Sequence, residues 1–287
     1  MKLRWAAAFV FALTPACALL VGIDENLGVK PRGADSAATP DAEEAGGGGG
    51  IDAANLPPPG TEGGPPLAPR PPEGTYTYDA SGNEALVATG FTFDPTSYGP
   101  TATVVVLWKA DASCFSMTIE PRANYTEEMD LCVQGTDIVQ STGTRHQSFS
   151  GSIAATSTTT LDCKPGDLWF STIAQPAQWW NHSCNGTNTD SQTGTSTFLQ
   201  TGRYTFLELT GGAMKYDAEL QVMANGAKGQ NGTNSGDWYF DAVDASLTQL
   251  HRHVHITYST NFGPVTYDEQ LDLTLRAKPP SKDAGGD

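Results

Sequence analysis

The chain has 287 residues and a formal net charge of −16 at neutral pH, with 32 acidic against 16 basic side chains. An acidic chain repels phosphate backbones, so the composition argues against nucleic acid as a partner. The chain has five cysteines and no Cys-x-x-Cys pair, which argues against a thiol redox motif or a four-cysteine zinc site.

Residues 1–16 have the pattern of a secretory signal peptide. Lys2 and Arg4 precede an apolar run that ends in small residues before Cys17. The run is shorter than the roughly 20 residues of a membrane-spanning helix. The segment resembles the lipobox of bacterial lipoproteins, although Thr14 stands where leucine is usual. That resemblance implies cleavage before Cys17 and lipidation of Cys17. The alternative is a plain secreted protein that is cleaved elsewhere.

Two segments have a composition that predicts disorder. Residues 17–73 are rich in Gly and Pro and contain "GGGGG" and "PPP", so they cannot bury enough apolar surface to order the backbone. We therefore predict a flexible tether at 17–73 and a loose tail at 278–287. Ala18 stands where inner-membrane lipoproteins of enteric bacteria carry Asp, which favours the outer membrane of a bacterial cell envelope.

Residues 74–277 predict one mainly β domain. "TATVVVLW" is a dense β-branched run, and "TGRYTFLEL" and "YDEQLDLTLRA" alternate apolar and polar residues. Turn signals such as "PTSYGP" and "NGTNSGD" separate the strands, and amphipathic helices are scarce. Because no crossover helices join the strands, we expect one antiparallel, strongly curved sheet, either a half-barrel or sandwich-like.

Two predicted strands are apolar on both faces, unlike "LDLTL", which has one polar face. These strands are 103–108 and 204–209, and each needs a second layer or an apolar ligand. A closed sandwich core is one interpretation, and an apolar concave face is the other. In the second case the cavity residues are Val104, Val106, Trp108, Phe206 and Leu207.

The remaining four cysteines can all form disulfides if Cys17 carries the lipid. The simplest pairing joins Cys114 to Cys132 and Cys163 to Cys184, although four cysteines allow three connectivities.

The order of several motifs carries a resemblance. "GTYTYDASG", a valine-rich strand, "EPRANYTEEMDLC", a second cysteine pair and "YDEQLDLTLRAKP" resemble uncharacterised exported four-cysteine proteins of high-GC bacteria. Trp238 to Asp241, followed by residues 247–276, also resembles the half-barrel lipoproteins of the LolA and LppX type. The second resemblance implies a bent sheet whose concave side holds acyl chains, and no catalytic residues.

Three of the five histidines alternate along "HRHVHITYS". His251, His253 and His255 therefore share one face of a strand, opposite Leu250, Val254, Ile256 and Tyr258. Two imidazoles at this spacing can share a zinc ion, so the three histidines are candidate metal ligands. The alternative is a solvated polar face, which we favour because no third ligand motif accompanies them.

Functional expectations follow from these features. We expect a monomeric, non-enzymatic envelope lipoprotein without a cofactor, held at the membrane by its lipid and binding an apolar or lipid-like ligand. A carbohydrate or cell-wall binding module that uses Trp179 and Trp180 is the alternative, and a metal-dependent enzyme is a third hypothesis.

Overall fold

The structure is a computed structural model that describes residues 67–111, 113–192, 194–226, 229–260 and 263–279, without the side chain of residue 165. The predicted signal peptide, Cys17 and residues 17–66 of the predicted tether lie outside the described residues. Within the described ranges no helix is long and apolar enough to cross a membrane.

Fourteen β-strands make up the described chain. In chain order they are β1 Gly74–Ala88, β2 Phe91–Thr92, β3 Thr96–Ser97, β4 Thr101–Trp108, β5 Cys114–Arg122, β6 Tyr125–Gln134, β7 Asp137–Phe149, β8 Ala155–Ser171, β9 Trp179–Asp190, β10 Gly194–Thr210, β11 Ala213–Ala224, β12 Gln230–Asp241, β13 Leu247–Thr260 and β14 Gly263–Ala277.

The sheet closes on itself. From β4 to β14 each strand pairs antiparallel with its neighbour in sequence, and β1 pairs with both β4 and β14. The result is a 12-strand antiparallel barrel, with the short strands β2 and β3 added beside β1. In the β1–β14 seam Tyr78 lies opposite Leu275. Gly82 allows this close pairing, because a Cβ there would stand 2.0 Å from the carbonyl oxygen of Gln270.

Alternation of side chains gives the barrel an inner and an outer face. On β13 the side chains of Leu250, Arg252, Val254 and Ile256 are buried in the interior, and the histidines between them are exposed. The predicted single, strongly curved antiparallel sheet is confirmed, and so are the two faces of this strand. The curvature continues to full closure, so the sheet has no open concave side.

One end of the barrel is covered by the chain itself, and we call it the packed end. The Ala68 amide donates to the Gly135 carbonyl at 2.6 Å, and Trp108 Nε1 donates to the Pro71 carbonyl at 3.0 Å. The predicted tether therefore ends earlier than residue 73, because residues 67–73 pack on the barrel. Lys278, predicted in the loose tail, lies 2.7 Å from the carboxylates of Asp241 and Asp244 at the same end.

Two disulfides join neighbouring strands. Cys114 on β5 is bonded to Cys132 on β6, directly opposite in the ladder. Cys163 on β8 is bonded to Cys184 on β9, and this bridge is buried in the barrel wall. Both bridges follow the sequential pairing that was the simplest of the three connectivities.

Candidate functional site

The residues predicted to surround a ligand cavity lie at the packed end, and they do not enclose a useful space. Val104 and Val106 point inward, where they border a void of only about 10 Å³. Phe206 is also buried, but Leu207 is 39% exposed on the outer face. Trp108 is half-buried, and the Arg70 guanidinium lies 5.1 Å from its ring centroid. The described residues at the packed end therefore do not enclose the predicted ligand cavity.

The outer face of these strands also corrects the sequence argument. Strand 103–108 is apolar on both faces, which suggested a covering layer or ligand on each side. In the structure Leu107 on the outer face is 52% exposed. The apolar outer residues of β4 and β10 are single exposed side chains, which soluble surfaces commonly carry.

A larger cavity of about 150 Å³ lies at the other end of the barrel, which we call the open end. Its walls are mostly apolar, and the residues at its rim are half-buried whereas those deeper in the barrel are buried. The apolar wall residues include Leu86, Phe91, Phe93, Phe149, Ala155 and Val265. Among the described lining residues only Asp190 is charged.

The floor of this cavity is polar, but its polar groups are bonded to one another. Gln147 Nε2 donates to the Tyr267 hydroxyl at 2.6 Å and to Glu84 Oε2 at 3.1 Å. Ser157 Oγ donates to Asn188 Oδ1 at 2.8 Å, and so does the hydroxyl of Thr159. An apolar molecule that rests on this floor breaks none of these hydrogen bonds, which lowers the cost of covering the polar groups.

Below the floor lies a layer of buried and half-buried arginine, glutamate and tyrosine side chains that we call the charge layer. It contains three arginines, three glutamates and two tyrosines: Arg122, Arg145, Arg252, Glu84, Glu127, Glu269, Tyr125 and Tyr267. Arg252 is at its centre. Its Nε donates to Glu269 Oε1 at 2.8 Å, its Nη1 to Glu127 Oε2 at 2.7 Å, and its Nη2 to the Tyr125 hydroxyl at 2.8 Å. Equal numbers of cations and anions make a buried charge layer tolerable.

The pKa directions show how the charge layer is balanced. Burial alone would raise the pKa of Glu269, but Arg252 and Arg145 outweigh burial and hold its pKa below the ordinary value. Burial alone would lower the pKa of Arg252, but Glu127 and Glu269 raise it well above the ordinary value. Burial raises the pKa of Tyr267 well above its usual range. At neutral pH Arg252 and Glu269 are therefore charged and Tyr267 is neutral.

A second buried polar group lies in the β8–β9 wall, beside the Cys163–Cys184 bridge. Burial raises the pKa of Asp167 to about 6 and lowers the pKa of His182 to about 4. The two side chains come within 3.3 Å of each other. They lie in the barrel wall, whereas the open-end cavity is lined by other residues.

The three alternating histidines lie outside the barrel, where each is near a carboxylate of β14. His251 Nδ1 is 2.7 Å from Asp272, His255 Nδ1 is 2.8 Å from Asp268, and His253 Nε2 is 3.5 Å from Asp268. In the described chain, no three ligand atoms of these residues converge on one point. The one converging group there is Cys163, Asp167 and Cys184.

Trp179 and Trp180 point to opposite faces and do not form a flat aromatic strip. Trp179 is 49% exposed, and the Arg203 guanidinium lies 4.7 Å from its ring centroid. Trp180 turns inward to the packed core, with its ring 6.5 Å from that of Tyr216. Arg203 therefore covers one face of the Trp179 ring.

Comparison with known proteins adds no relative to this geometry, since no family model, curated protein or solved structure matches the chain. The sequence did contain one signal for the open-end cavity. Small residues such as Ala155, Ser157 and Thr159 occupy inward positions of β8, where other strands carry aromatic side chains.

Proposed function

We propose that this protein is a non-enzymatic lipoprotein of the bacterial cell envelope that binds a small, neutral, apolar ligand at the open end of its barrel. The observation that carries the proposal is the cavity of about 150 Å³, walled by apolar side chains above a floor of satisfied polar groups. A dry apolar cavity of roughly this volume is known to take up a molecule of the size of benzene.

The charges near the cavity favour a neutral ligand over a fatty acid. Asp190 is the charged side chain among the described lining residues, and Glu84 lies beneath the floor. A carboxylate head group at the rim would lie near the like charge of Asp190, and the described lining residues include no cation. The ligand is therefore a small ring, or the end of a longer neutral chain whose remainder stays outside.

The position of the cavity fits an anchored receptor. Residues 67–73 and Lys278 both lie at the packed end, so a lipid anchor at Cys17 is attached to the barrel from that side. The open end lies at the opposite end of the barrel from this attachment point, where it can exchange ligand with its surroundings. Replacing Cys17 with Ser is expected to release the protein from membrane fractions, and unchanged membrane retention would contradict the anchor.

A titration tests the ligand class. The full chain carrying Cys17→Ser is titrated with indole, dodecanol and dodecanoate, and binding is followed by chemical shifts of the β7 and β14 amides. We expect indole and dodecanol to bind, and dodecanoate to bind at least several-fold more weakly than dodecanol, because only the head group differs. Equal affinity for the alcohol and the acid would contradict a neutral ligand.

A matched pair of variants locates the site. Ala155 is buried and lines the cavity, whereas Ala154 beside it is exposed. Ala155→Leu fills the cavity and is expected to abolish indole binding, while Ala154→Leu leaves it unchanged. Indole binding that survives Ala155→Leu in a folded protein would show that the open-end cavity is not the site.

A further inference from the structure

The wall of the barrel holds a cluster of four side chains that the proposed function does not use. We call Cys163, Asp167, His182 and Cys184 the cysteine cluster. Cys163 and Cys184 form the buried disulfide between β8 and β9, and all four residues are more than nine-tenths buried. A carboxylate and an imidazole are unusual neighbours for a structural disulfide, because neither can bond to it well.

The contacts within the cluster suit thiols better than a bridge. Asp167 Oδ2 lies 2.8 Å from Cys184 Sγ, and His182 Nε2 lies 3.3 Å from the same sulfur. A bridged sulfur carries no hydrogen, so neither contact is a good hydrogen bond in the disulfide form. His182 Nδ1 is a buried nitrogen without a hydrogen-bond partner, although Asp167 Oδ2 is 3.3 Å away.

Cys163, Asp167 and Cys184 each offer one ligand atom, and these three atoms lie within 4.8 Å of one another. The His182 ring contacts Cys184 through Nε2 and Asp167 through Nδ1. Two sulfurs, one imidazole nitrogen and one carboxylate oxygen are the donors that Zn²⁺ takes in tetrahedral sites. We propose that reduction of the Cys163–Cys184 bridge creates a metal site: with both thiols free, the cysteine cluster binds one zinc ion.

The proposed step is balanced with a dithiol as reductant. The dithiol gives two electrons and two protons to the bridge, the S–S bond breaks, and two thiols form while the dithiol becomes a cyclic disulfide. Zinc then displaces the two thiol protons into solvent and binds both thiolates. In the reverse direction a small disulfide takes two electrons from the thiolates and two protons from solvent and becomes a dithiol, and the re-formed S–S bond of the protein releases the ion.

The second disulfide of the chain is a matched control. Cys114 and Cys132 are also joined across neighbouring strands, but among the described residues neither belongs to a converging group of three metal ligands, and the nearby Asp111 carboxylate accepts from the Cys114 backbone amide at 3.4 Å. Ser113 Oγ, at 3.7 Å, is the side-chain atom in contact with Cys114 Sγ. Reduction of this bridge offers two sulfurs without the two further ligands that a closed zinc site needs.

The experiment compares oxidised and dithiothreitol-reduced full-length protein after Zn²⁺ is added and unbound metal is removed. We expect one zinc per reduced chain and none per oxidised chain by elemental analysis. Co²⁺ in place of Zn²⁺ should give the strong visible bands of a tetrahedral site with thiolate ligands. Cys114→Ser with Cys132→Ser should keep the full stoichiometry, and Cys163→Ser with Cys184→Ser should lose it.

Two further variants keep the disulfide and remove the other ligands. His182→Gln and Asp167→Asn leave the oxidised barrel bridged, and each should weaken zinc binding to the reduced protein about 10- to 100-fold. If reduction loosens the barrel, zinc should restore its β-sheet circular dichroism. Zinc uptake that is absent, or that does not depend on Cys163 and Cys184, overturns the proposal, and so does a reduced barrel that zinc fails to restore.

Discussion

The two ends of the barrel are built from the same twelve strands but are filled differently. At the packed end Trp169 lies 4.5 Å from Trp238 and 5.7 Å from Phe240, measured between ring centroids, and only about 10 Å³ remains nearby. At the open end Phe149 and Tyr267 are 5.9 Å apart, and the cavity of about 150 Å³ lies beside them.

The diameter of a barrel is set largely by its strand number. The two ends must therefore differ in how they are filled because of their side chains and the segments that cap them. A barrel of about eight strands is just filled by ordinary side chains, and one of about sixteen leaves a channel. Twelve strands therefore need unusually large inward residues. The packed end supplies them as aromatic rings in edge-to-face and tilted contact, with residues 67–73 as a cap. The open end uses smaller residues, such as Ala155 and Ser157, and keeps a cavity.

Truncating one phenylalanine at each end should give the largest difference in stability between the two ends. Phe240→Ala at the packed end should lower the free energy of unfolding by about 3–5 kcal/mol, because the surrounding rings cannot close the new void. Phe149→Ala should cost less, about 2 kcal/mol, because Phe149 already borders a cavity. Urea unfolding of both variants measures the difference. Equal losses would mean that the two ends are packed alike.

The charge layer separates the two ends, and Arg252→Met tests its contribution. This variant keeps the volume of Arg252 but leaves Glu269 and Glu127 without their closest cation. We expect a loss of about 3 kcal/mol in unfolding free energy at pH 7. Arg203→Met on the outer face is the control and should change stability by less than about 0.5 kcal/mol.

The free energy of unfolding of Arg252→Met should depend on pH in the opposite direction to that of the parent protein. In the parent the pKa of Glu269 is held below its ordinary value, so its contribution is complete above the unfolded pKa and is lost as the pH falls through the folded pKa. Without Arg252, burial raises that pKa, and the variant becomes less stable as the pH rises above about 4. The loss measured at pH 7 should therefore exceed the loss at pH 4. Identical losses at pH 4 and pH 7 would contradict the assignment of this pH dependence to Glu269.

Adding the same bulk at each end gives a smaller effect. Ala102 on β4 is buried at the packed side, opposite Tyr78 of β1 and two residues before Val104. Ala102→Leu should therefore destabilise the barrel by about 1–3 kcal/mol through overpacking. Ala155→Leu has room in the open-end cavity and should change stability by less than about 1 kcal/mol. Thermal unfolding separates the two, and a large loss for Ala155→Leu would show that the cavity is not available space.

The smallest effect is expected outside both ends, on the histidine face. His251→Ala removes an exposed contact of 2.7 Å with Asp272. Exposed ion pairs contribute little, so the change in unfolding free energy should stay below about 0.5 kcal/mol. A larger loss in urea unfolding would show that the outer face takes part in holding the barrel closed.

Local patterns in the sequence predict much of the fold. The alternation of Leu271 and Leu273 with polar residues assigns the faces of β14 correctly, and Arg252 among the apolar residues of β13 marks a buried charge. Closure was beyond such patterns, because the pairing of Tyr78 with Leu275 depends on residues at opposite ends of the domain.

The candidate site was harder to predict than the fold. Leu86, Phe149 and Val265 line the cavity from strands that are far apart in sequence, so no local motif marks it. Leu207 was misplaced for a related reason. An apolar residue on either face of β10 gives the same pattern, and only the bend of the sheet decides that Phe206 is inside and Leu207 is outside.

The β1–β14 seam has a consequence for how the chain folds. From β4 to β14 each strand pairs with its neighbour in sequence, and β1 pairs with β4 across only the two short strands β2 and β3, so these pairings can form one after another as the chain emerges. The seam alone joins segments almost 200 residues apart, as between Tyr78 and Leu275. Contacts of such long sequence separation form slowly. Until residues 263–277 are available, β1 and the latest strand each present an unpaired edge, and such edges can pair with another copy of the chain.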